Sequence, residues 1–387
     1  MAEARGALAI LAVAYFALGA VGMSVIGLIP PMAEGLGASV AATAGLVTVF
    51  ALVYAVAGPL VQAWFGHWPR RTLIGAGLGL MAAGCFAAAA APTLGWAMAA
   101  RVAMALGAAM LGPTASAAAA DLVPPDRRSA ALATVFGGMT AATVLGIPLA
   151  AWLGQTVGWR WAWVAVGALP ALILPAVLVL LPAASRGARG SLAALGRAMA
   201  DRPLALSVAT TAVQIAAQFA TYALIALWLV EAAGAPEAAA PLALLLFGLG
   251  GVAGNLAAPP VERRLGADRT VTLCLLAMVG LFALLSAFPA MPLPAMLVLI
   301  TLWSVFGLMY MAPLQTRLVR LAPERPGIAL ALNTSALYVG MAAGASVAGA
   351  VHAAAGAAAL PAVSGVLAAA AAGVFALARR PAPLPAR

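Results

Sequence analysis

Residues 122–127 read LVPPDR and follow a long apolar run, and residues 321–325 read LAPER after another such run. Each of these short polar stretches also opens the next apolar run. The two copies are 199 residues apart, and a second match, TAATVLG at 140–146 with TSALYVG at 334–340, has an offset of 194 residues. The chain therefore contains an internal repeat in which both copies run in the same direction.

Twelve apolar runs alternate with short polar gaps along the 387 residues. A helix needs roughly 20 residues to cross the hydrocarbon core of a bilayer, and each run is long enough. The runs, numbered here as spans 1 to 12, lie near residues 7–29, 40–63, 72–91, 95–119, 129–153, 160–182, 204–230, 240–260, 271–289, 293–315, 327–351 and 358–378. The pattern predicts an all-α membrane protein with twelve transmembrane helices.

The repeat divides these helices into two groups of six. Gly58, shortly before a basic gap, has its counterpart in Gly254, 196 residues later. Six spans thus repeat six spans in parallel, which predicts two six-helix bundles related by a pseudo-two-fold axis. We expect an N-terminal bundle at 1–182, a cytoplasmic linker at 183–203 and a C-terminal bundle at 204–387.

Arginine is distributed unevenly between the gaps. Eighteen of the 20 basic residues fall in gaps on one side of the alternation, Arg160 lies on the other side, and Arg101 lies inside span 4. The positive-inside rule then places both termini in the cytoplasm, with the chain crossing the cytoplasmic (inner) membrane many times. Residues 1–33 resemble a signal peptide, but their apolar run exceeds the usual core of roughly 7 to 15 residues, so we expect a first span.

Composition excludes several classes of protein. With 65% hydrophobic and 8% charged residues, the chain has too little polar surface for a soluble protein. The net charge of +10 resides in the loops and favours anionic lipid, so no nucleic-acid partner is expected. The chain has two histidines and two cysteines, with no HExxH, paired carboxylates or GxxxxGK[ST] loop. We expect no enzyme activity, no metal and no cofactor.

Two parallel bundles that meet face to face predict a carrier with a central site, exposed to one side at a time when one bundle rocks against the other. Polar and aromatic residues on single helix faces are candidates to line that chamber; Gln214, Gln218 and Tyr222, for example, recur at helical spacing in span 7. The expected substrate-binding residues are Tyr15, Arg101, Gln214, Gln218, Tyr222, Trp303, Tyr310 and Asn333. The alternative is that they join helices to each other, at roughly 1 kcal/mol for each amide.

Arg101 is the clearest of these candidates. A cation in the middle of a membrane costs at least roughly 2.5 kcal/mol, so such residues usually face a cavity or carry function. Arg101 lies on the order of 10 Å from the outer surface, at 1.5 Å per residue, so snorkelling to the outer headgroups is the alternative. A chamber with Tyr, Trp, Met, Gln and one Arg suits a small, weakly polar or anionic organic molecule.

Two motifs carry a resemblance to a known family. The first is RVAMALG at 101–107, an Arg followed six residues later by Gly, and the second is TVLGIPL at 143–149. The chain resembles the major facilitator superfamily and, within it, the twelve-span drug:proton antiporters, especially the arabinose-efflux-permease-like branch. The resemblance implies export of a drug-like molecule or metabolite in exchange for protons, and a bend at Gly146 and Pro148. The stricter motif has adjacent Gly-Pro, whereas Ile147 stands between them here.

The resemblance also implies an inner gate. The loop after span 2 opens with Gly58, as in the family, but Gly66 and Pro69 stand where the family has Asp and Gly. Of the family's charge cluster, Arg70, Arg71 and Asp121 remain. The resemblance predicts that Arg70 or Arg71 pairs with Asp121 in the outward-facing state. The alternative is that these groups meet only solvent and lipid headgroups.

Proton coupling usually requires a carboxylate inside the membrane, and none of the ten acidic residues lies deep in a span. The nearest candidates are Glu34, beyond span 1, and Glu231, at the outer end of span 7; the alternative is that both are solvated loop acids. An uncoupled facilitator or importer of the same fold therefore remains the alternative function. We expect the protein to act as a monomer with a small-molecule substrate.

Overall fold

The computed structural model describes residues 2–124, 127–182, 196, 199–289, 291–323 and 326–379. Twelve helices in these ranges are long and apolar enough to cross a membrane, and they coincide with the twelve predicted spans. The predicted all-α fold is therefore confirmed. The predicted linker, 183–203, lies mostly outside the described residues. The face that carries the basic loops is called the inner face below.

The helices differ from the predicted runs mainly in their interruptions. The uninterrupted spans are Val40–Phe65, Arg70–Ala89, Leu94–Asp121, Trp159–Leu180, Ala239–Leu265, Ala267–Ala287, Pro326–Ala355 and Leu360–Arg379, which form spans 2, 3, 4, 6, 8, 9, 11 and 12. The interrupted spans are span 1 (Ala2–Met23, Val25–Gly35), span 5 (Arg128–Ala141, Ala142–Gly146, Ile147–Thr156), span 7 (Arg202–Tyr222, Ile225–Glu231) and span 10 (Leu293–Met309, Met311–Leu321). A short 3₁₀ turn, Ala357–Ala359, precedes span 12.

Helix starts follow from local side chains. Ser39, Thr93 and Asp201 precede spans 2, 4 and 7, and each accepts a hydrogen bond from the backbone N–H three residues later. Such a cap satisfies one of the N–H groups that a helix start leaves without a partner. These caps fix where the chain re-enters the apolar layer.

Two pairs of turn glycines show the repeat in the backbone. Gly37 (φ 59°) and Gly234 (φ 63°) follow spans 1 and 7, and Gly158 (φ 98°) and Gly356 (φ 77°) follow spans 5 and 11. Side chains with a Cβ rarely adopt these positive φ values, so glycine is required at equivalent turns in both halves. The two bundles therefore share their turn geometry as well as their order of helices.

Small residues allow close helix packing within the C-terminal bundle. A Cβ added to Gly344 of span 11 would lie 2.5 Å from the Ala216 carbonyl oxygen of span 7. A Cβ on Gly250 of span 8 would lie 2.5 Å from the Thr301 carbonyl oxygen of span 10. Gly250 and Gly254 of span 8, like Gly340 and Gly344 of span 11, are four residues apart, so each pair lies on one helix face and allows this close packing.

The bundles meet along two helix pairs. Spans 2 and 11 contact each other from the outer end, where Gly349 faces the Ala41 backbone, to mid-membrane, where the Tyr54 and Tyr338 rings lie together. Spans 5 and 8 also contact each other from the outer end to mid-membrane. At the outer end Gln155 Nε2 donates to the Glu237 carbonyl at 3.2 Å.

At mid-membrane the span 5 to span 8 contact is a backbone one. Gly248 of span 8 packs against the Thr143 carbonyl of span 5, where an added Cβ would lie 2.6 Å from the oxygen. Among the described residues, these contacts between the two bundles lie at mid-membrane or nearer the outer face. These contacts hold the bundles together at mid-membrane and on the outer side, which is the arrangement expected of an inward-facing structure whose chamber lies on the side of the basic face.

Candidate functional site

A pair of tyrosines closes the chamber at mid-membrane. Tyr54 of span 2 and Tyr338 of span 11 have ring centroids 3.9 Å apart and an interplanar angle of 30°. The two rings come from different bundles, so this contact must break when the bundles separate on the outer side. We call Tyr54 and Tyr338 the roof pair.

Tyr15 supports the roof from span 1. Its hydroxyl donates to the Gly112 carbonyl of span 4 at 2.6 Å and also contacts the Ser116 hydroxyl. Its ring packs edge-to-face against Phe136 of span 5, with centroids 5.3 Å apart. The predicted residue Tyr15 therefore lies beside the roof, but its polar atom is already bonded within the N-terminal bundle.

Arg101 lies on the outer side of the roof and is 1% exposed. Its guanidinium donates to the carbonyls of Leu46 (3.1 Å), Val21 (2.7 Å) and Gly22 (2.9 Å). It also lies 4.3 Å from the ring centroid of Phe50, a favourable cation–π geometry. The side chain neither snorkels to the outer surface nor faces the open chamber.

The position of Arg101 explains how span 1 tolerates its interruption. Val21 and Gly22 lie in the last turn before the break between Met23 and Val25. Carbonyls at a helix end lack intrahelical partners, and in hydrocarbon each unsatisfied group is costly. Arg101 supplies donors to two of them and joins spans 1, 2 and 4. In this conformation it is a positioning residue.

The polar stripe of span 7 turns into its own bundle. Gln218 Nε2 donates to the Gly307 carbonyl of span 10 at 3.2 Å, and Thr211 donates to Asn333 Oδ1 of span 11 at 2.5 Å. Gln214 is fully buried, and its amide has no hydrogen-bond partner among the described residues. Periodicity predicted one shared face correctly, but helices of the same bundle cover that face.

The aromatic candidates of the C-terminal bundle are also covered. Trp303 packs edge-to-face on Tyr222, Phe247 and Phe282 of spans 7, 8 and 9, at centroid distances of 6.2, 5.2 and 5.0 Å. Tyr310 lies in a separate apolar cluster with residues of spans 8, 9 and 12.

All eight predicted substrate-binding side chains are at most 5% exposed. None of them presents an open surface in this conformation, and their role in substrate binding stays a prediction. The physical reason for this burial is that small residues let neighbouring helices of one bundle approach closely enough to cover these side chains.

The predicted gate residues form one ion pair. Arg70 Nη2, at the start of span 3, lies 2.7 Å from Asp121 Oδ2, at the end of span 4, while Arg71 donates to the Leu178 carbonyl at 3.2 Å. The pair forms within one bundle and in the inward-facing state, so it does not require the outward-facing state for which it was expected. Gly58 is buried, and nothing lies within 4 Å of the position of an added Cβ.

Span 5 contains a π-helical turn at Ala142–Gly146, directly before the segment that begins Ile147-Pro148. Pro148 has no N–H to continue the regular hydrogen-bond ladder, which accounts for an irregular turn there. The turn directs the Thr143 carbonyl toward Gly248 of the other bundle. The segment containing Gly146 and Pro148 is thus part of a bundle-to-bundle contact.

The two acidic candidates lie at the outer ends of their helices. Glu34 is exposed, and Glu231 Oε2 lies 3.1 Å from His352 Nε2 at the end of span 11. Among the described residues, the hydrogen bonds of Arg101 to oxygen go to backbone carbonyls and not to either acid. The expected approach of Glu34 or Glu231 to Arg101 is therefore not seen in this conformation.

Comparison with known proteins agrees with this architecture. The family model described as Major Facilitator Superfamily matches residues 11–210 and 206–387. The chain belongs to the major facilitator superfamily.

Alignments with relatives cover most of the length of this major facilitator superfamily protein. It is 30% identical over 347 residues to the inner membrane transport protein YdhP of Escherichia coli K12, covering 88% of this chain and 87% of that protein. It is 35% identical over 353 residues to a chloramphenicol resistance protein of Streptomyces lividans, covering 87% and 86%. A solved bacterial homolog of the human lysosomal transporter Spinster has the same fold, with a TM-score of 0.79, 17% identity and 97% coverage of both chains.

The sequence of this superfamily member did not indicate that the roof pair and Gly248 are candidate functional residues. Tyr54 and Tyr338 are aromatic residues in apolar runs, with no polar stripe to single them out. Gly248 lies two residues before Gly250, one of the glycines predicted to pack helices, but its contact is with the other bundle. The signal available in the sequence was the repeat: two bundles related by a pseudo-two-fold axis place span 2 against span 11 and span 5 against span 8.

Proposed function

We propose that the protein exports small, neutral organic molecules from the cytoplasm by alternating access, in exchange for protons. The observation that carries this proposal is the state of Arg101, whose guanidinium is bonded to three backbone carbonyls. The other charged side chains of the described spans lie within about four residues of a helix end. A charged substrate would find no free counter-charge at the roof, so a neutral molecule is favoured over the anion that the sequence left open.

The direction of transport is supported by a relative. The protein of Streptomyces lividans is named for chloramphenicol resistance, and chloramphenicol is a neutral molecule with one aromatic ring. The proposal places the protein in the cytoplasmic membrane as a monomer, with both termini and the 183–203 linker in the cytoplasm. The bundles at 1–182 and 204–387 are the two rocking units.

The proton part of the proposal uses the contact between Glu231 and His352. This pair joins spans 7 and 11 at the outer ends of the C-terminal bundle. Both side chains can carry a proton, and their contact holds the outer end of span 7 against that of span 11. Proton uptake at this pair from the outer side would alter how the two helix ends are held.

Transport into everted membrane vesicles tests the proposal, because their inner protein face is exposed to the medium. We expect radiolabelled chloramphenicol to accumulate when the vesicle interior is acid, and an uncoupler to abolish accumulation. Glu231→Gln should remove accumulation but leave equilibration, whereas Glu34→Gln, at an exposed acid without a histidine partner, should behave as the unaltered protein. Vesicles without the protein give the background, and a panel that includes a neutral glycoside covers non-aromatic substrates.

A second candidate is an uncoupled facilitator or importer of the same fold. The positions of the acidic residues favour this candidate, since no Asp or Glu in the described spans lies deep in the membrane. Equilibration without accumulation, insensitive to the uncoupler, would support the facilitator and contradict proton exchange. Rates equal to the background for every compound would contradict export itself.

A further inference from the structure

The roof pair carries an inference about substrate selection, which rests on the proposed function. We propose that Tyr54 and Tyr338 contact the substrate directly and select neutral molecules that carry a planar aromatic ring. The two rings lie 3.9 Å apart across the boundary between the bundles. Both rings are buried in this conformation, at 7% and 8% exposure, so a substrate would meet their faces as the bundles begin to separate.

The roof pair is held so that ring faces, and not ring edges alone, meet at the boundary. Phe50 stacks behind Tyr54, with centroids 6.2 Å apart and an interplanar angle of 23°. A Cβ on Gly112 would lie 2.5 Å from the Tyr54 hydroxyl oxygen, so only a glycine leaves room for the Tyr54 ring in this position. Tyr15 fixes the same segment of span 4 through the Gly112 carbonyl.

Opening toward the outer side separates spans 2 and 11, so the contact between the two rings is lost. A substrate that replaces this contact binds the opening state more tightly, and only such differential binding can shift the equilibrium between conformations. A planar aromatic ring offers a face to each tyrosine. A sugar instead brings hydroxyl groups that would lose water without enough partners at this apolar site.

The other pairs of aromatic rings formed by the described residues each lie within one bundle. Tyr222, Phe247, Phe282 and Trp303 pack together, but all four belong to the C-terminal bundle. Their contacts need not change when one bundle rocks against the other. The roof pair is the aromatic contact, among those formed by the described residues, that joins spans 2 and 11.

The test compares two neutral probes in everted vesicles, radiolabelled chloramphenicol and radiolabelled isopropyl thiogalactoside, which has no aromatic ring. The unaltered protein should transport chloramphenicol in preference to isopropyl thiogalactoside. Tyr54→Leu and Tyr338→Leu should each raise the KM for chloramphenicol roughly tenfold, as expected for loss of one aromatic contact, with the maximal rate within about twofold. Tyr54→Phe and Tyr338→Phe keep the ring and should retain the low KM.

Phe282→Leu is the matched control, because it removes a buried ring that lies within one bundle. After normalisation to the amount of protein in the membrane, it should change both probes in the same proportion. A fall in maximal rate with unchanged KM in the roof variants would contradict substrate contact and leave only a gating role. Preference of the unaltered protein for the glycoside would overturn the aromatic selection while export stands. If neither probe nor any compound of the panel is transported, both export and this inference are overturned.

Discussion

The two bundles share an architecture but differ in how tightly each is held together. At the inner end of the N-terminal bundle, Arg70 pairs with Asp121 at 2.7 Å, and Arg70 Nε is buried without a partner among the described residues. At the equivalent end of the C-terminal bundle the charges are reversed: Asp268 begins span 9, and Arg317 lies near the end of span 10, with a 2.6 Å contact.

Arg317 is more completely bonded than Arg70. Besides Asp268, it donates to the Ser207 hydroxyl of span 7 at 3.1 Å and to the Ala378 carbonyl of span 12 at 2.6 Å. One side chain therefore ties together spans 7, 9, 10 and 12. The N-terminal pair ties together only spans 3 and 4.

A second contrast concerns the repeated glycines. Gly254 presses against the Val305 backbone of span 10, whereas an added Cβ on its counterpart Gly58 meets nothing within 4 Å. The C-terminal bundle is thus closely packed where the N-terminal bundle keeps open space. We infer that the C-terminal bundle behaves as the stiffer body and that rearrangement at the inner face falls mainly on the N-terminal bundle. At mid-depth the roles are reversed, since the N-terminal bundle has the Arg101 network.

The largest effect is expected for Arg101. Arg101→Ala removes three charge-assisted bonds to carbonyls and leaves a break in span 1 unsupported, so we expect transport to be lost and stability to fall by about 3 kcal/mol. Thermal unfolding of the purified protein and vesicle transport measure the two effects. Arg160→Ala removes an arginine near the outer surface and serves as the control, with a change of at most about 1 kcal/mol. An Arg101→Ala protein that reaches the membrane and transports normally would contradict the role given to the network.

Gly254→Ala and Gly58→Ala form a matched pair with the next largest effect. The added methyl group at Gly254 would collide with the Val305 carbonyl, and such overpacking typically costs about 1–3 kcal/mol. The same change at Gly58 should leave unfolding within about 0.5 kcal/mol of the unaltered protein, because the space is open. The two melting temperatures, measured in the same detergent, check this. Equal losses in both variants would remove the packing difference between the bundles.

The number and positions of the spans could be predicted because both are recorded locally in the sequence. Each apolar run is continuous, and each polar gap on the inner side holds its own basic residues. The break in span 1 could not be predicted in the same way, since residues 21–29 are apolar apart from Ser24. What stabilises the break is Arg101, which comes from span 4.

The candidate site was harder to predict because periodicity gives a face but not the neighbour that covers it. Gln214 and Gln218 do share a face, yet spans of the same bundle surround it. The cost of burying Arg101 predicted that it would face a cavity or carry function, whereas its guanidinium is bonded to backbone carbonyls. Tyr54 and Tyr338 became visible only when spans 2 and 11 were seen to meet.

The smallest expected effect comes from exchanging the charges at the inner ends. Arg70→Asp and Asp121→Arg, each alone, should cost about 1 kcal/mol, and the double variant should regain most of that loss, because the site is a simple pair with half-exposed Asp121.

Asp268→Arg combined with Arg317→Asp should behave differently. The Ser207 and Ala378 oxygens accept hydrogen bonds from Arg317, and an aspartate in its place donates none. The double variant should therefore regain less than half of the loss in the single variants. Thermal unfolding of these six variants and of the unaltered protein gives the two coupling energies. Full recovery in the C-terminal bundle, or none in the N-terminal bundle, would show that the charge networks do not account for the difference in stiffness between the two halves.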